Sequence, residues 1–275
     1  MISVDLIINC YEKTQKVLDK SFIYKVLDQN KYKFKNIFIV VNNVKDKKGV
    51  VSKVSKLKKK RVINDYFFVE DYIDDVLKLV KLKKEDLEPI PHYTDWALVS
   101  LYIAKSEYLL HWDPDVYLER PVDWITPSIK KLDKNKNFII ASPLWGFQKS
   151  VIKHESYDED EEFSYNKDFS DQIFLTKKEN LLKPIYKYNH IYSLRFPLAH
   201  IGSTFEKRID GYMKKKNKTR LIFKEAVYVH PQDSGSPYPN VSIFRIILHY
   251  IFMVIVVTYY YFFLSFRKTV LKQDK

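Results

Sequence analysis

The chain has 275 residues, 46% of them hydrophobic, 16% aromatic and only 5 glycine, which supplies a substantial core and excludes a disordered, linker-rich or fibrous protein. A formal net charge of +13 invites nucleic acid, yet it comes from forty Lys and only seven Arg. Base and phosphate recognition favours the planar Arg fork, so nucleic acid is not an expected partner, and the Lys suits a solvated surface or anionic lipid headgroups.

In chain order, Met1-Ile2-Ser3-Val4-Asp5 runs straight into an apolar stretch without the charged n-region of a signal peptide. Secretion is therefore not expected, and the sequons at Asn217 and Asn240 carry no weight. Val4 to Asn9 predicts a first strand, and Cys10, the lone cysteine, rules out an intrachain disulfide. Thr14 to Leu27 predicts a helix with Val17, Leu18, Phe22, Val26 and Leu27 as its apolar stripe. Ile37 to Val41 predicts a second strand ending at Asn42-Asn43, and Tyr66 to Val69 a third. The Lys-rich stretch from Lys45 to Arg61 between them reads as an exposed connection or helix. Near-continuous apolar runs of this kind suit parallel strands buried on both faces.

A helix over Thr94 to Ser106 then feeds a fourth strand, Tyr108 to Trp112, which stops at Asp113-Pro114-Asp115. Phe138 to Ala141 predicts a fifth strand, followed by Trp145-Gly146, where a Trp face suits either a sugar ring or the core. This alternation implies an α/β fold with an open, mostly parallel sheet, flanking helices, and ligands at the carboxyl ends of the strands. Asp158 to Glu162 reads as a solvated acidic loop. A helix is expected to start at Ser170 and run through Asp171 to Leu175, and Ala226 to Val229 reads as a last strand. The Pro- and Ser-rich stretch from Pro231 to Pro239 closes a globular domain spanning residues 1–240.

Residues 241–275 form a second unit. Ile246 to Phe266 is 21 residues without Asp, Glu, Lys or Arg, about 31 Å as a helix and close to the thickness of a bilayer's hydrocarbon. Tyr259 to Phe263 and Phe266 crowd one end like an interfacial belt, with Arg245 on one flank and Arg267, Lys268 and Lys272 on the other. A membrane-associating helix with a basic tail is expected. The positive-inside rule puts that tail in the cytoplasm, so a cytoplasmic catalytic domain requires a helix that dips in without crossing.

Trp112-Asp113-Pro114-Asp115-Val116 carries the sharpest chemical signal. Two carboxylates just beyond a buried apolar run are costly unless paired, hydrated or bound to metal. Oxygen donors favour Mn²⁺ or Mg²⁺, which also accept substrate phosphates. The plain alternative is an Asp-Pro turn.

Thr94-Asp95-Trp96-Ala97-Leu98, with Ala104-Lys105-Ser106-Glu107-Tyr108 leading through the strand to Asp113-Pro114-Asp115, resembles the family 2-like glycosyltransferases of the GT-A fold. The likeness is motif-specific over residues 94–118 and follows element order over residues 3–230. It implies a metal-dependent transferase moving a sugar from a nucleotide-diphosphate donor to a glycan or lipid-linked acceptor. Asn9, Tyr11, Asn42 and Asp113 would contact the donor, and Asp113 and Asp115 would hold the cation. Many relatives carry an acid after the second strand, where this chain has Asn42-Asn43, which leaves the nucleotide open.

Ser170-Asp171-Gln172 resembles the site of the catalytic base in inverting members, with Asp168 and the Glu159 to Glu162 run as competitors and a first-turn helix Asp as the plain alternative. Some members add a late histidine to the metal. His230 after Ala226 to Val229 is preferred over His200, whereas His111 should point away from Trp112. A pyrophosphorylase would need a Gly-rich phosphate loop, which Asn9-Cys10-Tyr11-Glu12 lacks. A non-catalytic, basic membrane scaffold is the remaining alternative.

Overall fold

The computed structural model describes residues 2–146, 156–196, 198–199 and 201–230, and eight separate positions between 247 and 262. The expected apolar runs become parallel strands. β1 (Val4–Cys10) is buried along its whole length and pairs with β2 (Asn36–Val41) on one side and β4 (Tyr108–Trp112) on the other. β3 (Asp65–Phe68) extends the parallel ladder beyond β2. Alternate residues feed two cores. Leu6, Ile8, Leu110 and Trp112 pack against α1 (Lys20–Asn30), α2 (Lys47–Lys59) and α5 (Ile125–Leu132). Ile7, Phe38, Val40 and Leu109 face α3 (Ile73–Val80), α4 (Asp95–Ile103) and a late helix, α7 (Phe205–Lys215).

The helix expected over residues 14–27 is divided. A 3-10 turn, Glu12–Leu18, ends at Asp19, whose ψ of 134° is extended. Asp19 caps α1 by accepting a hydrogen bond from the Ser21 amide at 2.8 Å, as short Asx side chains do at helix starts. Val17 and Leu18 remain buried, so the apolar stripe survives the break.

A larger correction concerns residues 170–175. They form no helix: Ile173–Lys177 is a strand, β9, antiparallel to both β4 and β6 (Phe138–Trp145). The segment offers a β-branched and aromatic face, and β4 and β6 each present an edge that needs partners. A four-residue helix, α6 (Lys178–Leu181), follows it. The acidic stretch is likewise not a plain loop. Asp158–Glu159 forms β7 against β8 (Phe163–Asn166), and Asp160 accepts from Lys131 and Tyr165.

The ten-stranded sheet runs β3-β2-β1-β4-β9-β6-β10-β8-β7, where β10 is Thr219–Val229, and the short β5 (Tyr117–Leu118) lies on β10. From β3 to β10 only β9 opposes the common direction. The chain leaves β1 toward β2 on one side and returns to β4 on the other, which opens a crevice at the carboxyl ends of those strands. Because β9 is reversed, its beginning lies at the same edge. That is how residues 171–172 arrive beside residue 113.

At the C-terminus, Pro231 to Pro239 and most of Ile246 to Phe266 lie outside the described residues. Positions 247, 250, 251, 254, 255, 258, 259 and 262 are helical and exposed. Among the described residues no helix is long and apolar enough to cross a membrane.

Candidate functional site

A cavity of about 360 Å³ lies at the crevice. Asn9 from the end of β1, Tyr11, Asn42 after β2, Asp113 and Asp115 after β4, Asp171 before β9 and His230 after β10 all line it. Seven side chains spread from residue 9 to residue 230 thus share one cavity because five strands end or begin at the same edge. His200 lies outside the described residues.

The Asp113-Pro114-Asp115 turn is held from two sides. The Asp113 amide donates to the Gln172 carbonyl at 2.8 Å, tying the turn to the beginning of β9. Asp115 accepts from the Tyr11 hydroxyl and the Lys16 ammonium, each at 3.1 Å. Burial raises the Tyr11 hydroxyl's pKa, and the charges of Asp115 and Asp113 raise it further, so Tyr11 stays a protonated donor to Asp115.

Negative charge is crowded here. Asp113 is pushed well above the usual carboxylate range by burial first, then by the neighbouring Asp115 and Asp171. Burial lifts Asp171 to about 6. Glu206, in the first turn of α7, also lines the cavity and is raised well above its ordinary value by burial and then by Asp171. Among the described residues, the cation bonded to these groups is Lys16, which is largely exposed and reaches Asp115.

Oxygen donors carrying surplus charge fit a hard divalent cation. The set is incomplete on its own, however. Among the described residues no three His, Cys, Asp or Glu side chains form a group able to hold a metal. Tyr11 and Lys16 hold the two oxygens of Asp115, and Asp113 and His230 line the same cavity from the ends of separate strands. Ligand oxygens would have to complete such a shell.

The competitors of Asp171 lie elsewhere. Asp168 is paired to Arg220 at 2.6 Å. Glu159 belongs to β7 at the far edge of the sheet and pairs with Lys224 at 3.3 Å. His111 points to the opposite face from Trp112, as alternation requires, and stacks between Trp96 and Phe174. Trp145 packs against the first core and stacks on Tyr228 with ring centroids 6.4 Å apart, which gives it the packing role.

Sequence reading missed Glu206. Thr204 caps α7, accepting from the Lys207 amide at 3.2 Å, so Ser203-Thr204-Phe205-Glu206 announces a helix start. Nothing local says that this start opens on the cavity. His92, Tyr93 and Trp96, around the beginning of α4, also line it.

No family model matches the chain, and no curated protein matches it. Among solved structures, GalNAc-T7 with UDP, GalNAc and Mn²⁺ is similar at a TM-score of 0.48 and 10% identity. That match covers 88% of this chain and 46% of the other, so this chain spans less than half the length of GalNAc-T7. Glucosyl-3-phosphoglycerate synthase from Mycobacterium tuberculosis, in complex with Mn²⁺, UDP-glucose and phosphoglyceric acid, is similar at a TM-score of 0.46 and 9% identity. There the match covers 93% of this chain and 78% of the other. Mouse xyloside xylosyltransferase 1 in its apo form gives a TM-score of 0.39 at 11% identity, over 79% and 82% of the two chains. These are resemblances of chain path, and the chemistry below rests on this chain's own residues.

Proposed function

We propose that the chain is a metal-dependent glycosyltransferase of the GT-A type that moves a sugar from a nucleotide diphosphate to a glycan or lipid-linked acceptor with inversion. One observation carries the reading: three carboxylates, Asp113, Asp115 and Asp171, converge with Asn9, Tyr11 and Asn42 on one cavity at the β1/β4 switch point. Asp113 and Asp115 would hold Mn²⁺ or Mg²⁺, with His230 as a further donor. When bound, the cation neutralises the charge of the departing diphosphate.

The remaining work falls to the chain. Asn9 and Asn42 hold the nucleoside, and Tyr11 and Lys16 fix the orientation of Asp115. Asp171 takes the proton from the acceptor hydroxyl as that oxygen bonds to the anomeric carbon and the bond to the diphosphate breaks. A carboxylate with a pKa of about 6 is ionised near neutral pH yet basic enough for this task. Nucleoside diphosphates supplied with Mn²⁺ should raise the melting temperature by several degrees, and one nucleotide should do so only when metal is present. A flat response to every nucleotide, with and without metal, defeats the reading.

We further propose that residues 241–275 attach the domain to a membrane, with the domain on the cytoplasmic side. Supporting this, Ile247, Tyr250, Ile251, Val254, Ile255, Tyr259 and Phe262 are between 51% and 72% exposed, apolar surface that water disfavours. The full chain should float with anionic liposomes, and V254D/I255D/Y259D should release it. Full chain that stays at the bottom of the gradient counts against attachment.

A further inference from the structure

Asp95 has no place in the chemistry above, and it does not line the cavity, yet it bonds to a residue that does. It opens α4, directly behind Asn42. The Asn42 amide nitrogen donates to Asp95 Oδ1 at 2.9 Å and to the His92 carbonyl at 3.5 Å. Both partners are acceptors, so only the amide nitrogen can face them. The amide oxygen is left as the group Asn42 offers the cavity. Next to it, Asn9 is only 6% exposed, lines the same cavity, and has a buried Oδ1 with no partner among the described residues. A buried acceptor left without a donor is costly, and a ligand that supplies one removes the cost.

We propose that Asp95 is a positioning residue that locks the Asn42 amide so that its oxygen, together with that of Asn9, reads hydrogen-bond donors on the nucleoside of the donor substrate. The inference rests on the nucleotide-sugar reading and refines it. The pair selects for donors, and three parts of a nucleoside carry them: a ring N–H, present in uracil and guanine but not in cytosine or adenine; an exocyclic amino group, present in cytosine, adenine and guanine but not in uracil; and the ribose hydroxyls.

The lock does not depend on the charge of Asp95. The Trp96 amide also donates to Asp95 Oδ1, at 2.6 Å, so that oxygen is an acceptor to two N–H groups. Burial raises the Asp95 carboxyl to about 7, and a proton arriving on Oδ2 leaves Oδ1 free to accept. An Asn at 95 would turn its own carbonyl oxygen to the same two donors. Asp95→Asn should therefore preserve the lock and Asp95→Ala should abolish it, a difference that a purely electrostatic role would erase, since both substitutions remove the charge.

The test is calorimetric titration of the full chain with UDP, GDP, CDP, ADP and the 2′- and 3′-deoxy forms of the tightest binder, all with Mn²⁺. In the unsubstituted chain, a ring N–H contact makes UDP or GDP bind at least about 10-fold tighter than CDP and ADP. An exocyclic amino contact instead leaves UDP the weakest by about 10-fold, and a ribose contact costs the deoxy forms about 10-fold, the worth of a single well-made hydrogen bond. Asp95→Ala and Asn42→Leu should collapse whichever preference appears, while Asp95→Asn retains it. Equal affinities for all the nucleotides, or an Asp95→Ala variant with its preference intact, overturns the inference and leaves the transferase reading standing. No binding by any nucleotide overturns both.

Discussion

Replacing Asp171 by Asn is expected to lower turnover by about 10²–10⁴-fold, the range usually lost with a positioned general base. The amide keeps the shape of the carboxylate and cannot take the proton. Because the Asp171 carboxyl is raised to about 6, kcat/KM of the unsubstituted chain should climb as pH rises through that value and level off above it. In Asp171→Asn that limb should vanish. Glu206→Gln is the control, since Glu206 lines the same cavity. A larger loss for Glu206→Gln, or an Asp171→Asn enzyme within 10-fold of the parent, would remove Asp171 from the role.

Asp113→Asn should lower metal-supported transfer by about 10³-fold, since a bound cation contributes several kcal/mol to a departing diphosphate. Its effect on stability should have the opposite sign. The folded Asp113 carboxyl lies well above its ordinary value, so its stabilising contribution is present at low pH and disappears as pH rises through the folded pKa. Without metal, the Asn variant should therefore melt higher than the parent at pH 8, and the difference should shrink toward pH 4. Measuring both kinetics and melting separates a lost ligand from a damaged fold. An inactive variant that also melts lower at pH 8 would contradict the charge crowding inferred at the site.

The parallel strands β1, β2, β3 and β4 were legible because each is a short apolar run stopped by polar residues. Buried parallel strands need exactly such runs, and little outside the run alters the outcome. The carboxylates of Asp113 and Asp115 were legible for the same reason, being charges placed where an apolar strand must end. β9 was not. Ser170-Asp171-Gln172 followed by Ile173-Phe174-Leu175 satisfies a helix cap and a strand start equally well, and the choice is made by the edges of β4 and β6, distant in sequence. Asp171 is pointed to by the resemblance of Ser170-Asp171-Gln172 to a family site, and it lines the cavity from the start of a strand instead of the expected helix. Glu206 and Asp95 illustrate a different limit. Each reads locally as an ordinary acid in a helix's first turn, and their significance comes only from what lies across the crevice.

The single hydrogen bond from the Asp113 amide to the Gln172 carbonyl has an evolutionary consequence. It continues the β4–β9 ladder, whose register pairs Trp112 with Ile173, so Asp113 and Asp171 ride on one rigid piece of backbone. The wall formed by Phe196, Leu198 and Thr204 belongs to other segments. Descendants of this chain are thus free to vary that wall, and with it the molecules admitted, without altering the spacing of the two carboxylates. Substrate range and reaction geometry are, in this architecture, separately heritable.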